Sequence, residues 1–269
     1  GYSRQRVIRG AADPFPLRSG ALGTGVEQQT ILRVNDALID RQILGERSAL
    51  GNANVQSGAL QQVEEILNEQ GGSGIGDALD ALYGAFNDLA GNPAGSTERQ
   101  AVVLAAQTAA DRIASADRQL RELQRGANSG IDAMLEEINE TAKRIAALNG
   151  SIEHAEVTAP AHGLRDQRDQ LLRDLSDRIS IHTVEESDGQ VYVFVNGGLA
   201  LVQGSVANRL DGAPDPTNTF DPSFLRVEFN GAGNRIDITS TISGGRLGGL
   251  LAVRDGTTGQ AIRDLDGVA

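Results

Sequence analysis

Residues 164–176, LRDQRDQLLRDLS, bring together the groups that proton-transfer chemistry uses. Two carboxylates, Asp166 and Asp169, lie about one helical turn apart, with Arg165, Arg168 and Arg173 beside them. Carboxyl groups in unlike surroundings can divide the roles of general acid and general base. The spacing also has a plainer explanation. At the helical period Leu164, Leu171, Leu172, Leu175 and Ile179 fall in one sector, with the Arg168 stem lying across it. Asp166, Asp169, Arg173 and Asp177 take the opposite side. Arg165–Asp169, Asp169–Arg173, Arg173–Asp177 and Asp174–Arg178 are each four residues apart, and such exposed pairs contribute about 0.2–0.5 kcal/mol each. An amphipathic helix with a charged outer face therefore accounts for these residues without catalysis.

The other chemistry-bearing residues are scattered. His154, His162 and His182 have no second histidine or cysteine at ligand spacing, and EHAE at 153–156 departs from the HExxH of zinc proteases. The glycine-rich pieces GGSGIG and GGRLGG lack a following Lys-Ser/Thr pair and do not close a buried strand, so a phosphate cradle is not indicated. No G-x-S-x-G elbow occurs. The expectation is of no catalytic residue, no cofactor and no metal.

Composition narrows the function further. The 269 residues carry a formal net charge of −12, which repels both nucleic acid and anionic membrane surfaces. No apolar run approaches the roughly 18–20 residues of a spanning helix. With no cysteine, disulfides and thiolate metal sites are excluded, and the chain is compatible with work outside the cell that needs no oxidative folding. Aromatics are 3% of the residues and tryptophan is absent, so Leu, Ile, Val and Ala must supply the core. That alphabet suits helices packed lengthwise better than a deep aromatic pocket.

The elements follow from the periodicities. Residues 1–10 and 25–34 read as two extended, paired segments across a Pro/Gly/Ser loop. A helical pattern runs from Asn35 to about Gln70 and stops at GGSG; a shorter one, opened by Asp77, closes at GNPAG. Thr97 and Gln100 suggest a capping box opening the longest helix, to about residue 154. Ile131, Met134, Ile138, Thr141, Ile145, Leu148 and Ile152 form a near-heptad seam that calls for a long partner helix. Gly126 and Gly130 mark a kink or a close helix contact. ISIHTVEE, QVYVFVN, LALVQ, FLRVEFN and RIDITS then alternate, with SDGQ and NGG as hairpin turns. The fold expected is α+β, mainly α: an elongated bundle of long antiparallel helices with a small antiparallel β domain inserted near the C-terminal end. Its parts are an extended hairpin at 1–34, the bundle at 35–180, the β domain at 181–243 and a return helix at 244–269. The chain opens on Gly1 and ends in a helical pattern, which reads as an excised fragment, monomeric in dilute solution.

Five stretches together resemble one family, flagellar hook-associated protein 1. They are GYSRQRV at 1–7, GVEQQTILRVNDALIDRQI at 25–43, INETAKRIAALN at 138–149, LRDQRDQLLRDLS at 164–176 and GGRLGGLLAVRD at 244–255, and they follow the family's order. Asn35, where the family often has an aromatic residue, and the glycine-rich return helix are departures. The resemblance implies an extracellular structural subunit of the bacterial flagellum at the hook–filament junction, exported through the type III apparatus. It implies as partners copies of itself in a ring, the hook protein, the next junction protein, and an export chaperone whose docking region is absent here. Terminal helices that pair as a coiled coil in the assembled tube are also implied and also absent. Neither nucleic acid nor membrane is an expected partner. Another axial subunit, hook- or flagellin-like, and a secreted adhesin presented by the β domain are the competing readings; a cell-wall hydrolase lacks an acid–base constellation.

Overall fold

A computed structural model describes residues 4–13, 15–17, 20–22, 24–34, 36–67, 74–195, 197–231 and 233–267. Asn35 and most of the GGSG stretch lie outside the described residues. The chain begins with a two-stranded antiparallel ribbon, β1 (Arg4–Ala11) with β4 (Val26–Val34). Its distal end carries the short pair β2 (Phe15–Leu17) and β3 (Gly20–Leu22). Asp36 then starts a helix, its Oδ1 accepting the Leu38 amide at 2.9 Å and the Ile39 amide at 3.4 Å.

That helix is α1 (Ala37–Leu67), followed by α2 (Ile75–Gly91), α3 (Ser96–Glu156) and α4 (His162–Arg178). The starts of α2 and α3 differ from expectation. Gly74 is the N-cap of α2, and Asp77, three residues in, accepts the Gly74 amide at 3.0 Å. Gly95 is the N-cap of α3, and no Thr97–Gln100 box forms. Instead Glu98 accepts a bond from Asn92 at 3.1 Å, and Arg99 donates to the Pro93 carbonyl at 2.7 Å. The preceding turn thereby holds the helix end, so the Thr97 hydroxyl is not needed there.

Helix α3 is continuous over 61 residues, with no break at Gly126 or Gly130. Gly130 is a close contact, since a Cβ there would lie 3.3 Å from Leu250 Cδ2. The heptad seam is buried, but its partner is not one long helix. Ile131, Met134, Ile138 and Ile145 share a core with Leu171 and Leu175 of α4 and with β-strand residues Val193, Leu201, Leu210 and Val227. Part of the seam is thus covered by sheet. Each fully buried aliphatic side chain contributes roughly 1.5–3 kcal/mol of transfer free energy, so the chain is stabilised mainly along this line.

Strands β5 (Ile181–Glu185), β6 (Val191–Val195), β7 (Leu199–Gln203) and β8 (Val206–Ala207) form a four-stranded antiparallel meander. Its turns place Gly189, Gly197 and Gly198 at positive φ, as SDGQ and NGG require. A second sheet orders β9 (Arg209–Pro214), β10 (Leu225–Gly231) and β11 (Asn234–Asp237) as β11–β10–β9. Strand β9, RLDGAP, has no apolar alternation and contains Asp-Gly, a turn signal, which hides it from periodicity. It lies against α3.

The chain returns through α5 (Gly245–Leu251), a π-helical segment (Ala252–Thr257) and α6 (Thr258–Asp266). Glycine lets α5 approach α1 closely: a Cβ on Gly249 would lie 2.8 Å from Val55 Cβ and 2.9 Å from the Asn52 carbonyl. The glycine richness of the return helix is therefore its packing surface. Two further core clusters continue the shaft, around Ala59, Ala127 and Val253, then around Val63, Ile75, Leu120, Ile262 and Leu265.

Candidate functional site

The Arg168 guanidinium, rather than lying over the apolar stripe with its charge in water, is 1% exposed. One nitrogen donates to the Gly189 carbonyl at 2.5 Å and to Asn149 Oδ1 at 3.3 Å; another donates to Glu185 at 3.1 Å. Asp169 stands 4.0 Å from Nε. Burial pulls the guanidinium pKa below its ordinary value, while Glu185 and Asp169 oppose that shift. An arginine in such surroundings stays charged, and each partner compensates lost hydration. The outer arginines also reach beyond α4. Arg165 bonds Glu156 through two contacts of 2.6 Å and Glu185 at 2.7 Å; Arg178 bonds Glu137 at 2.8 Å. The Arg165 bond holds the Glu156 carboxyl below its usual range. These arginines tie α4 to α3 and to the β5–β6 hairpin.

A row of amides on α3 performs the same task. Asn149 donates to the Val191 and Gly204 carbonyls at 2.8 Å each and accepts the Val191 amide at 3.2 Å. Asn139 donates to the Leu210 carbonyl and accepts the Leu210 amide, both at 2.8 Å. Asn128 accepts the Leu225 amide at 2.8 Å and an Arg254 nitrogen at 3.0 Å, and Gln124 donates to the Arg254 carbonyl at 2.8 Å. At about 100° per residue, positions 124, 128, 139 and 149 fall within a sector of roughly 80°. Arg254 is also buried; it forks onto Asp255 at 2.7 and 2.8 Å and donates to the Leu225 carbonyl at 2.6 Å. Sequence reasoning missed these amides, although their helical angle was a usable signal: polar residues within an apolar sector need buried partners.

The groups that suggested chemistry do not converge. Asp166 lines one hollow with Arg144 and Asp174, while Asp169 lines another, of about 350 Å³, with Arg173 and His182. His154 lies in the last turn of α3, His162 at the start of α4 and His182 on the exposed side of β5. Among the described residues no group of three or more His, Asp or Glu could hold a metal ion, and no helix is long and apolar enough to cross a membrane. Glu185 and Arg168 neutralise one another at the wall of the Asp169 hollow. The arrangement holds elements together.

Exposed apolar groups gather elsewhere. Beyond Ala109, the last buried residue towards its tip, the α2–α3 hairpin has no third layer among the described residues, and Tyr83, Phe86, Val103 and Leu104 are all at least half exposed. On α1, Ile39, Ile43 and Leu50 border a shallow groove with Glu46 and Arg47. On the ribbon, Val7 and Val26 are exposed beside Arg6 and Arg9.

Comparison with known proteins agrees with a shaft built for packing. Flagellar hook-associated protein 1 of Salmonella typhimurium is 27% identical over 259 residues, 94% of this chain and 46% of that protein. The Escherichia coli protein of the same name is 27% identical over 94% of this chain, and that of Bacillus subtilis 28% over 77%. The chain spans about half the length of the curated relatives it matches. The structure of the flagellar hook junction protein FlgK from Burkholderia pseudomallei superposes with a TM-score of 0.68 at 28% identity, over 80% of this chain and 39% of that one. The family described as "Flagellar hook-associated protein FlgK helical domain" matches residues 60–269, from the second half of α1 to the chain end. The chain belongs to that family, the flagellar hook-associated protein FlgK family.

Proposed function

We propose that this chain is part of a structural subunit that joins hook to filament in the bacterial flagellum, outside the cell. It acts by packing against copies of itself in a ring and against its axial neighbours, the hook protein on one side and the next junction protein on the other. An export chaperone would engage a region outside this chain. The observation that carries the reading is the family match over residues 60–269, on a shaft whose polar residues are spent holding its own elements together. Subunits in a tube bond through extended faces, with apolar patches supplying affinity and charges setting register. The ribbon and the outer face of α3 are the surfaces proposed for those contacts.

Complementation tests this. In a motile bacterium lacking its own first junction protein, the full-length protein restores attached filaments and swimming. Normal swimming without any junction protein, or hooks left bare despite stable export of this one, would refute the assignment. Charge reversals on the outer face of α3 that leave attachment intact would count against that surface.

A further inference from the structure

The two ends of the shaft carry opposite chemistry. Residues 1–34 hold five arginines against two carboxylates in a chain whose net charge is −12. Residues 75–110 hold four carboxylates, Asp77, Asp80, Asp88 and Glu98, against the single Arg99. The exposed aromatic side chains Tyr83 (68% exposed) and Phe86 (50%) both lie on this acidic hairpin. The ribbon answers with Arg6 and Arg9 around the exposed Val7 and Val26. Guanidinium groups bind carboxylates and the faces of aromatic rings, so each surface offers what the other lacks. A monomer rarely leaves several large apolar groups exposed together. Within one copy the surfaces are kept apart: α1 runs from the ribbon to the hairpin, and its 31 residues, at about 1.5 Å each, span roughly 45 Å.

We propose that the occupant of the α2–α3 hairpin is a second copy of this chain, whose arginine-bearing β1–β4 ribbon lies against Tyr83, Phe86, Asp80 and Asp88. The contact is head-to-tail, so each copy donates at one end and receives at the other, and it propagates rather than closing as a two-fold dimer. It rests on the assembly reading above and adds the direction of packing and the residues that set it.

The absence of native cysteine makes a direct test simple. The Tyr83→Cys and Val7→Cys variants, purified separately and checked for unchanged helical signal and melting, are oxidised alone and as a mixture at high concentration. The mixture should yield at least about fivefold more disulfide-linked dimer than either variant alone. Arg6→Glu with Arg9→Glu in the Val7→Cys copy should abolish that excess, and Asp80→Lys with Asp88→Lys in the Tyr83→Cys copy should restore it. No excess in the mixture, like-with-like dimers as the main product, or an excess untouched by the charge reversals would overturn the proposal. The cross-link is read on purified chain, so its failure stands apart from failed complementation in cells.

Discussion

Loss of the Arg168 guanidinium takes the donor from the Gly189 carbonyl in the core, while Asn149 Oδ1 keeps the Val191 amide and Glu185 keeps Arg165. Arg168→Met, which keeps much of the stem, should therefore lower stability by about 1–3 kcal/mol, the usual cost of a buried acceptor left without its donor. The check is the urea midpoint at unchanged slope. Arg125→Ala, which removes an exposed pair with Glu122, should stay within about 0.5 kcal/mol. Acid has a defined sign here. Glu156 is held below its ordinary pKa by its bond from Arg165, Asp211 by Asn230, Asp215 by Thr217 and Asp221 by Ser223. A carboxyl whose folded pKa is depressed gives stability that is present above the unfolded value, about 4, and lost as pH falls through the folded one. The urea midpoint should hold from pH 7 to about 5 and fall below about pH 4; Glu156→Gln should flatten part of that fall. Hydropathy placed the Arg168 stem correctly, yet gave no sign that its head was buried. The acceptors Gly189 and Glu185 come from a hairpin some twenty residues further on, and no local pattern reports such a meeting.

At the scale of elements, two glycines that look alike in sequence should respond in opposite ways. Gly126 lies inside α3 with open space for 4 Å around the position a Cβ would take, so Gly126→Ala should stabilise by roughly 0.5–1 kcal/mol through helix propensity. Gly249 meets Val55 and the Asn52 carbonyl, so Gly249→Leu must push α5 off α1 and should cost more than about 2 kcal/mol. Thermal melts of both variants decide this. Helix positions were legible because α1, α3 and α4 carry long apolar periods, and α3 ends within two residues of its expected bounds. Strand β9 was not legible, because its conformation is imposed by Asn139 and by pairing with β10 instead of by its own alternation. The partner of the seam was misjudged for a related reason: an apolar stripe states how much must be covered, not whether helix or sheet covers it.

Across the whole molecule, burial is concentrated in the shaft and its β unit. Of the ribbon residues whose side-chain exposure is described, at 6–13 and 24–27, none is buried. Deleting residues 1–35 should accordingly leave the main unfolding transition within about 1 kcal/mol of the intact chain, as measured by urea denaturation. Sparse aromatics and the charge of −12 already argued against an enclosed pocket or a polyanionic partner, and the described hollows are wall features of a rod. Which end meets which neighbour was illegible from the chain alone, because it depends on charge and exposure sorted along the length of a folded rod. The amide row on α3 has one more consequence. Asn139 and Asn149 grip peptide groups of the strands, whatever residues those strands carry. Outward-facing positions of the appendage can therefore diversify between bacterial lineages while its seat stays put, leaving a variable outer coat on an invariant mount.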